Sequence, residues 1–176
     1  MKSQKGSAFE REICGKLSLW WTGGENDAVF WRTSGSGARA CVRSKKGRAT
    51  SGQHGDIAAI DPCGRPLIDK ILFELKRGYN KVTMVDLLDS PATPFQNWID
   101  KAQTSADISG ADYWAIIHKR DRREPLIYLP WTLARILPDV YPSVTWDTTH
   151  GSIIGIRLGD FLKQISPKKL MDALND

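Results

Sequence analysis

The feature that most constrains this chain is a short apolar segment with two opposite charges, Leu72-Phe73-Glu74-Leu75-Lys76. Its apolar residues predict a buried strand, in which successive side chains point to opposite faces of the sheet. Glu74 and Lys76 therefore share one face, and Phe73 and Leu75 share the other. Because an isolated buried charge is costly, a fold for this chain must give both charged groups a partner or a function.

A salt bridge between Lys76 and a carboxylate on a neighbouring strand would account for this pair without any chemistry. A second acidic residue, Asp56, begins the preceding predicted strand after Gly55. A short turn over residues 63–66 would allow the two strands to pair in an antiparallel way. We therefore expect Asp56 to lie near Glu74 at one edge of the sheet.

These groups have the chemistry of a metal site. Asp56, Glu74 and the backbone carbonyl of Leu75 would supply the oxygen ligands that Mg²⁺ prefers. A divalent cation in such a site lowers the pKa of a bound water and neutralises charge on a phosphoryl group. Lys76 would orient that water, help to deprotonate it, or stabilise the developing negative charge.

Glu10 is a third acidic candidate, on a predicted helix over residues 7–21. Phe9, Ile13 and Leu17 recur there at helical spacing, and Glu10 lies on or beside this apolar stripe. Ser7 through Glu10 also has the S-x-x-E form of a capping box, with Ser7 at the start of the helix. Capping and metal binding would use the same carboxylate oxygens, and both remain open.

The order of the predicted elements favours an α/β fold, with a mixed β-sheet flanked by helices. Residues 1–129 would form the core domain, and residues 130–176 a small α+β extension packed on the same domain. The predicted strands cover residues 28–33, 56–61, 69–77, 113–118, 125–129 and 152–158. The predicted helices cover residues 7–21, 94–109 and 131–137, with a further helical segment at the C-terminus.

The basic residues are concentrated in one segment. The chain has a net charge of +5, which by itself is only a mild preference for polyanions. From residue 32 to residue 54, however, basic residues occur among glycines and serines with no Asp or Glu between them. This pattern predicts a positively charged loop that either is simply solvated or binds phosphates. Residues 119–123 form a second basic cluster at a predicted hairpin tip.

Several functional classes are not favoured. The three cysteines form no CxxC pair, which disfavours a zinc ribbon or a disulfide framework and suggests a reducing cytoplasm. No apolar run approaches the length of a membrane span. The sequence contains neither a P-loop nor a G-x-G-x-x-G motif, so no nucleotide cofactor is expected.

Four sequence segments, taken together, indicate a protein family more specifically than any single feature above. They are KGSAFERE at residues 5–12, FWRTSGSG at residues 30–37, GDIAA at residues 55–59 and LFELK at residues 72–76. In this order they resemble the archaeal-type Holliday-junction resolvases of the PD-(D/E)XK nuclease superfamily. The resemblance spans residues 5–129 and implies a restriction-endonuclease-like fold.

The resemblance also implies roles for individual residues. Glu10, Asp56 and Glu74 would surround one or two Mg²⁺ ions, with Mn²⁺ as a substitute, and Lys76 would be the catalytic lysine. Gln96 or Gln103 resembles a glutamine that some superfamily members place near the metal. By the resemblance, Arg32 and Ser34 or Ser36 would contact the phosphates near the cut. The other residues expected to bind DNA are basic; they are Lys5, Arg39, Arg43, Lys45, Lys46 and Arg48.

By the same resemblance, the protein would be a homodimer that resolves four-way DNA junctions, in the host cytoplasm if it is phage-encoded. The chain departs from the family pattern at Gly55, where the family has proline, and in the longer basic segment before Asp56. Residues 130–176 have no counterpart. A restriction-type or flap-cutting nuclease of the same superfamily and a non-catalytic DNA-binding module therefore remain as alternatives.

Overall fold

A computed structural model describes residues 2–33, 55–90 and 93–176, without the side chains of residues 2–5, 88 and 89. Its main feature is a five-stranded sheet. From one edge to the other, the strands are β3 (Ile71–Arg77), β4 (Tyr113–Lys119), β5 (Leu126–Pro130), β7 (Gly151–Arg157) and β6 (Val144–Thr148). Strands β3 and β4 are parallel, and every other neighbouring pair is antiparallel.

A separate two-stranded ribbon lies outside the β3 edge of this sheet. It consists of β1 (Phe30–Arg32) and β2 (Ile57–Ala59), which pair in an antiparallel way with Arg32 opposite Ile57. Both strands were predicted, but each is shorter than its apolar pattern suggested. The ribbon brings Arg32 next to the start of β2, where Asp56 lies.

Helices cover both faces of the five-stranded sheet. They are α1 (Lys2–Trp21), α2 (Arg65–Lys70), α3 (Asp86–Asp89), α4 (Pro94–Ser109), α5 (Trp131–Ala134), α6 (Leu158–Gln164) and α7 (Pro167–Asn175). Phe73 and Leu75 of β3 belong to the core that contains α1, α6 and α7, whereas Leu72 belongs to the core under α4. The predicted α/β class, with a mixed sheet flanked by helices, is confirmed.

A buried hydroxyl group attaches α1 to the ribbon. The Ser18 Oγ donates to the carbonyl of Cys14 at 2.8 Å and accepts the backbone N–H groups of Val29 and Phe30 at 3.1 and 2.9 Å. Buried backbone donors at the start of β1 are thereby satisfied. This contact fixes the ribbon relative to the helix that carries Glu10.

Two local predictions are wrong. Helix α1 begins at Lys2, so Ser7 lies inside the helix and does not start a capping box with Glu10. The predicted turn over residues 63–66 is instead a 3₁₀ turn (Pro62–Gly64) followed by α2. Pro66 lies in the first turn of α2, where a missing backbone N–H costs no intrahelical hydrogen bond. Strand β3 consequently begins at Ile71 and not at residue 69.

The C-terminal residues continue the main sheet. Strand β7 pairs with β5, and β6 pairs with β7 at the outer edge. The predicted boundary after residue 129 therefore falls inside β5. Residues 144–148 lie in a Pro- and Thr-rich stretch in which no strand was predicted, yet they form β6, which is mostly exposed. Among the described residues, no helix has both the length and the hydropathy to cross a bilayer.

We expect that Gly64→Ala lowers the free energy of unfolding by about 1–3 kcal/mol through overpacking. A Cβ at Gly64 would lie 2.6 Å from Val29 Cγ1 and 2.7 Å from Phe30 Cε1. Gly159→Ala in α6 is the matched control, because a Cβ there meets nothing within 4 Å. Urea unfolding should show this control unchanged or slightly more stable. Equal stability of the two variants would contradict the close packing of the 3₁₀ turn on β1.

Candidate active site

Asp56 attaches the ribbon to the outer edge of β3. Its backbone N–H donates to the carbonyl of Phe73 at 2.7 Å, and its Oδ2 accepts the backbone N–H of Leu75 at 2.7 Å. Thr33 adds two hydrogen bonds, from its N–H to Asp56 O at 3.1 Å and from its hydroxyl to Gly55 O at 2.8 Å. The structure thus brings Asp56 to the strand of Glu74, through a helical connection and not through the predicted turn.

Gly55 permits this close approach. Its φ is +82°, in the left-handed region, and a Cβ would lie 2.8 Å from the carbonyl oxygen of Phe73. Proline, which the resembling family has at this position, is restricted to a φ near −65° and cannot adopt this conformation. The glycine therefore follows from the way in which the ribbon meets β3.

Glu74 is a buried carboxylate with two cationic neighbours. Its side chain comes from the centre of β3 and the residue is only 2% exposed. Lys76 Nζ lies 2.6 Å from Glu74 Oε2, and Lys101 Nζ of α4 lies 3.6 Å from the same oxygen. A buried charge needs such pairing. The alternation of β3 places Lys76 beside Glu74 as predicted, whereas Lys101 was not anticipated.

Glu10 is oriented by a different contact. Its Oε2 lies 3.3 Å from Arg32 Nε, so α1 and β1 meet through this ion pair. Glu10, Asp56, Glu74, Leu75 and Lys76 all line one cavity of about 660 Å³. Among the side chains that the structure describes, however, no three His, Cys, Asp or Glu groups are close enough to hold a metal together. The three predicted carboxylates share a cavity but do not form one ligand set.

Asp56 carries an electrostatic cost. Burial, and next the negative charge of Glu74, raise the pKa of Asp56 to about 6, although the hydrogen bond from Leu75 N–H and the charge of Lys76 lower it. Two carboxylates that repel each other in a partly buried cavity are stabilised by a cation between them. The electrostatics of this edge therefore favour binding of positive charge.

The donor groups fit one divalent cation. The N–H and C=O of a strand residue point to the same side, so the Leu75 carbonyl shares the outer edge of β3 with the N–H that Asp56 accepts. Two carboxylates and one carbonyl, with water or phosphate completing the coordination, form a set that Mg²⁺ accepts in proteins. Asp56, Glu74 and Leu75 would hold such an ion.

The two predicted glutamines are used elsewhere. Gln96 Nε2 donates to Asp100 and Thr149 at 2.7 and 2.8 Å. Gln103 Oε1 accepts the indole N–H of Trp114 at 3.0 Å. Among the described residues that line the cavity, α4 contributes Lys101 and neither glutamine.

The structure describes only part of the predicted DNA-binding set. Arg32 lies at the site, and Lys5 is described only through the backbone of α1. The other members lie outside the described residues; they are Ser34, Ser36, Arg39, Arg43, Lys45, Lys46 and Arg48.

Sequence reasoning missed a second wall of the cavity, which Tyr79, Asn80 and Asp121 line. Asp121 lies in the basic tip between β4 and β5, where a hairpin was predicted. Its carboxylate pairs with Arg77 at 2.6 Å. The run of charged residues in the sequence identifies this tip, but it does not predict that the tip contacts the carboxyl end of β3.

The whole-chain sequence was compared with known protein families, curated proteins and solved structures. A family model described as "Phage putative PDDEXK endonuclease" matches residues 1–172. No curated protein and no solved structure matches the chain significantly.

Asp56→Asn tests the electrostatics of the metal-free site. Because folding raises the pKa of Asp56 from 3.8 to about 6, the native state binds more protons than the unfolded chain between these values. The contribution of Asp56 to the free energy of unfolding is therefore most favourable at low pH and is lost as the pH rises through this range. The variant cannot titrate and keeps an oxygen that accepts Leu75 N–H.

In EDTA, we therefore expect the stability of Asp56→Asn relative to wild type to increase by about 2 kcal/mol between about pH 4 and about pH 7. Urea unfolding of both proteins at the two pH values measures this change. A stability difference that does not change with pH, or that decreases, would contradict the assignment.

Proposed function

This chain belongs to the phage PDDEXK endonuclease family, and on that premise we propose that it is a metal-dependent DNA endonuclease that cuts branched DNA. The observation that carries the proposal is the meeting of Asp56 and Glu74 at the outer edge of β3, with Lys76 bound to Glu74. This arrangement brings two carboxylates that can bind a cation and one ammonium group into the same cavity, which supports hydrolysis of a phosphodiester.

We assign the carboxylates of Asp56 and Glu74 and the carbonyl of Leu75 to the binding of Mg²⁺, with Mn²⁺ as a substitute. The bound ion would lower the pKa of a water and neutralise negative charge on the phosphodiester. The hydrogen bond from Leu75 N–H fixes Asp56 Oδ2 before any ion arrives. This preorganisation decreases the cost of ordering the ligands.

Lys76 would act on the phosphodiester directly. Its Nζ is held 2.6 Å from Glu74 and lines the cavity. From this position the ammonium group can donate a hydrogen bond to the attacking water or to a phosphate oxygen, which stabilises charge that develops in the transition state. Lys101, whose side chain is 59% exposed, would supply a second positive charge for DNA that enters the cavity.

Glu10 and Arg32 would respond to the arrival of DNA. Their ion pair is partly exposed, and a guanidinium group binds a phosphate strongly through two parallel hydrogen bonds. A phosphate would therefore compete with Glu10 for Arg32. We propose that this exchange releases Glu10 to become the third acidic ligand only when substrate is present.

The remaining parts of the proposal rest on the resemblance in four sequence segments. These parts are the four-way junction as the preferred substrate, a homodimer that presents two sites, and action in the host cytoplasm. Ser34 or Ser36 would contact the phosphates near the cut, together with Arg32. The basic residues Lys5, Arg39, Arg43, Lys45, Lys46 and Arg48 would bind DNA through their positive charge, a role that the resemblance does not assign. Products would carry 5′-phosphate and 3′-hydroxyl ends.

We expect Mg²⁺-dependent cutting of a labelled four-way junction, which EDTA abolishes. Glu74→Gln should decrease the cutting rate by at least about 100-fold, because it removes a ligand charge, and should leave junction binding intact. Glu25→Gln is the matched control, because Glu25 is exposed and lies outside the cavity. Full cutting by Glu74→Gln would refute its assigned role.

A panel of substrates separates the alternatives. Symmetric cuts near the branch point of the junction support a resolvase. Cutting of linear duplex at a fixed sequence supports a restriction-type enzyme, and cutting of a flap supports a flap nuclease. Junction binding without cleavage in Mg²⁺ supports a non-catalytic module and contradicts the proposal.

A Mn²⁺ titration tests the ligand set separately from activity. Without DNA, we expect Asp56→Asn to weaken Mn²⁺ binding by about 10-fold or more, and Glu10→Gln to have little effect, because Glu10 is paired with Arg32. Calorimetry measures both affinities. With an uncleavable phosphorothioate DNA present, Glu10→Gln should also weaken binding. Equal effects of the two variants without DNA would contradict the proposed exchange.

A further inference from the structure

An aromatic residue is held at the rim of the cavity in an unfavourable backbone conformation. Gly78 and Tyr79, directly after β3, have φ values of +84° and +52°. The left-handed region is uncommon for a residue with a bulky side chain, and such strain persists only where the surroundings impose it. Tyr79 lines the cavity and is 56% exposed. The conformation therefore presents an aromatic ring at the cavity mouth.

The backbone of this turn is fixed from β4 and from the hairpin tip. The N–H of Gly78 donates to Lys119 O at 3.0 Å, and His118 Nε2 donates to Gly78 O at 3.0 Å. Asn80 Nδ2 donates to Asp121 Oδ2 at 2.9 Å, and Asp121 N–H donates to Asn80 Oδ1 at 2.7 Å. These four hydrogen bonds explain how the strained conformation is maintained.

The ring itself is supported by a row of aromatic groups. Tyr79 meets Trp98 edge to face with ring centroids 5.1 Å apart, and Trp98 meets His118 in the same way at 5.0 Å. Trp98 and His118 are buried. The Tyr79 ring is thus rigidly backed by the core while more than half of the residue remains exposed.

Of the described residues around this ring, four carboxylates and three cationic side chains line the cavity, so a polyanion would enter it once a divalent cation is bound to Asp56 and Glu74. Lys76, Arg77 and Lys101 line the same cavity, and Lys101 is largely exposed. Aromatic rings next to a positive groove are how proteins bind unpaired bases of nucleic acids, because every base has a face that stacks. A base inside an intact duplex has both faces covered by its neighbours and cannot use such a ring.

We propose that Tyr79 is a stacking platform for an unpaired nucleobase next to the phosphate that is cut. The site would favour DNA in which the base beside the cut is unpaired, as at a branch point or a mismatch. This inference rests on the proposed function, because it requires DNA to enter the cavity. It adds a specificity-determining contact to the hydrolytic groups, without a role in the chemical step.

The test compares DNA binding by three variants with that of wild type. Tyr79→Asn removes the ring and keeps a residue that tolerates the left-handed conformation, whereas Tyr79→Phe keeps the ring. Tyr141→Asn is the matched control, since Tyr141 is 70% exposed and lies outside the cavity lining. Circular dichroism and thermal unfolding check that each variant is folded.

Two duplexes of one sequence serve as probes, one fully paired and one with a mismatched 2-aminopurine beside the cut mapped for the wild-type protein. Binding is measured by anisotropy with Ca²⁺ in place of Mg²⁺. We expect Tyr79→Asn to lose about 5- to 100-fold in affinity for the mismatched duplex and to bind the paired duplex like wild type. Wild type, Tyr79→Phe and Tyr141→Asn should quench the 2-aminopurine fluorescence, and Tyr79→Asn should not.

Other results overturn the inference. Equal loss of affinity for both duplexes, or equal damage by Tyr79→Phe and Tyr79→Asn, would show that the ring does not stack on a base. Mg²⁺-dependent cutting by the wild-type protein would then still support the proposed function. If the wild-type protein neither binds nor cuts any DNA, both the proposed function and this inference fail.

Discussion

The candidate site depends on the two hydrogen bonds that Asp56 makes with the edge of β3. They attach the β1–β2 ribbon to the main sheet. The backbone N–H of Asp56 donates to the carbonyl of Phe73, and the carboxylate of Asp56 accepts the N–H of Leu75. Glu74 lies between Phe73 and Leu75 in the strand. The hydrogen bonds that attach the ribbon to β3 therefore also bring the carboxylates of Asp56 and Glu74 near each other. The left-handed Gly55 follows from this approach, because any Cβ there would contact the Phe73 carbonyl.

The electrostatics of this edge connect stability to function. Glu74 is buried but is compensated by Lys76 and Lys101, whereas the pKa of Asp56 is raised by burial and by the charge of Glu74. If protein cations fully neutralised both carboxylates, binding of a metal ion would gain little electrostatic free energy. Here the protein retains part of the repulsion between its carboxylates, and this is a cost that functional sites commonly carry. Cation binding would offset it.

The rest of the cavity is built by elements that are distant in sequence. Helix α1 brings Glu10 against Arg32, helix α4 brings Lys101 over Glu74, and the tip between β4 and β5 holds the turn at Tyr79. The parallel pairing of β3 with β4 makes this possible, because the carboxyl ends of the two strands then lie next to each other at the same end of the sheet. The acidic residues Glu10, Asp56 and Glu74 and the exposed ring of Tyr79 therefore line the same cavity.

Sequence alone determined the features that follow from local periodicity and from end signals. The alternation in β3 placed Glu74 beside Lys76, and helix α4 has the predicted bounds because Thr93 caps its start and Gly110 ends it in a left-handed conformation. Only the tertiary structure decided that a helix joins β2 to β3, that Glu10 pairs with Arg32, and which residues of α4 and of the hairpin tip face the cavity. Periodicity specifies which side chains share a face of one element, but the contacts between elements depend on how those faces dock, and no local pattern encodes that.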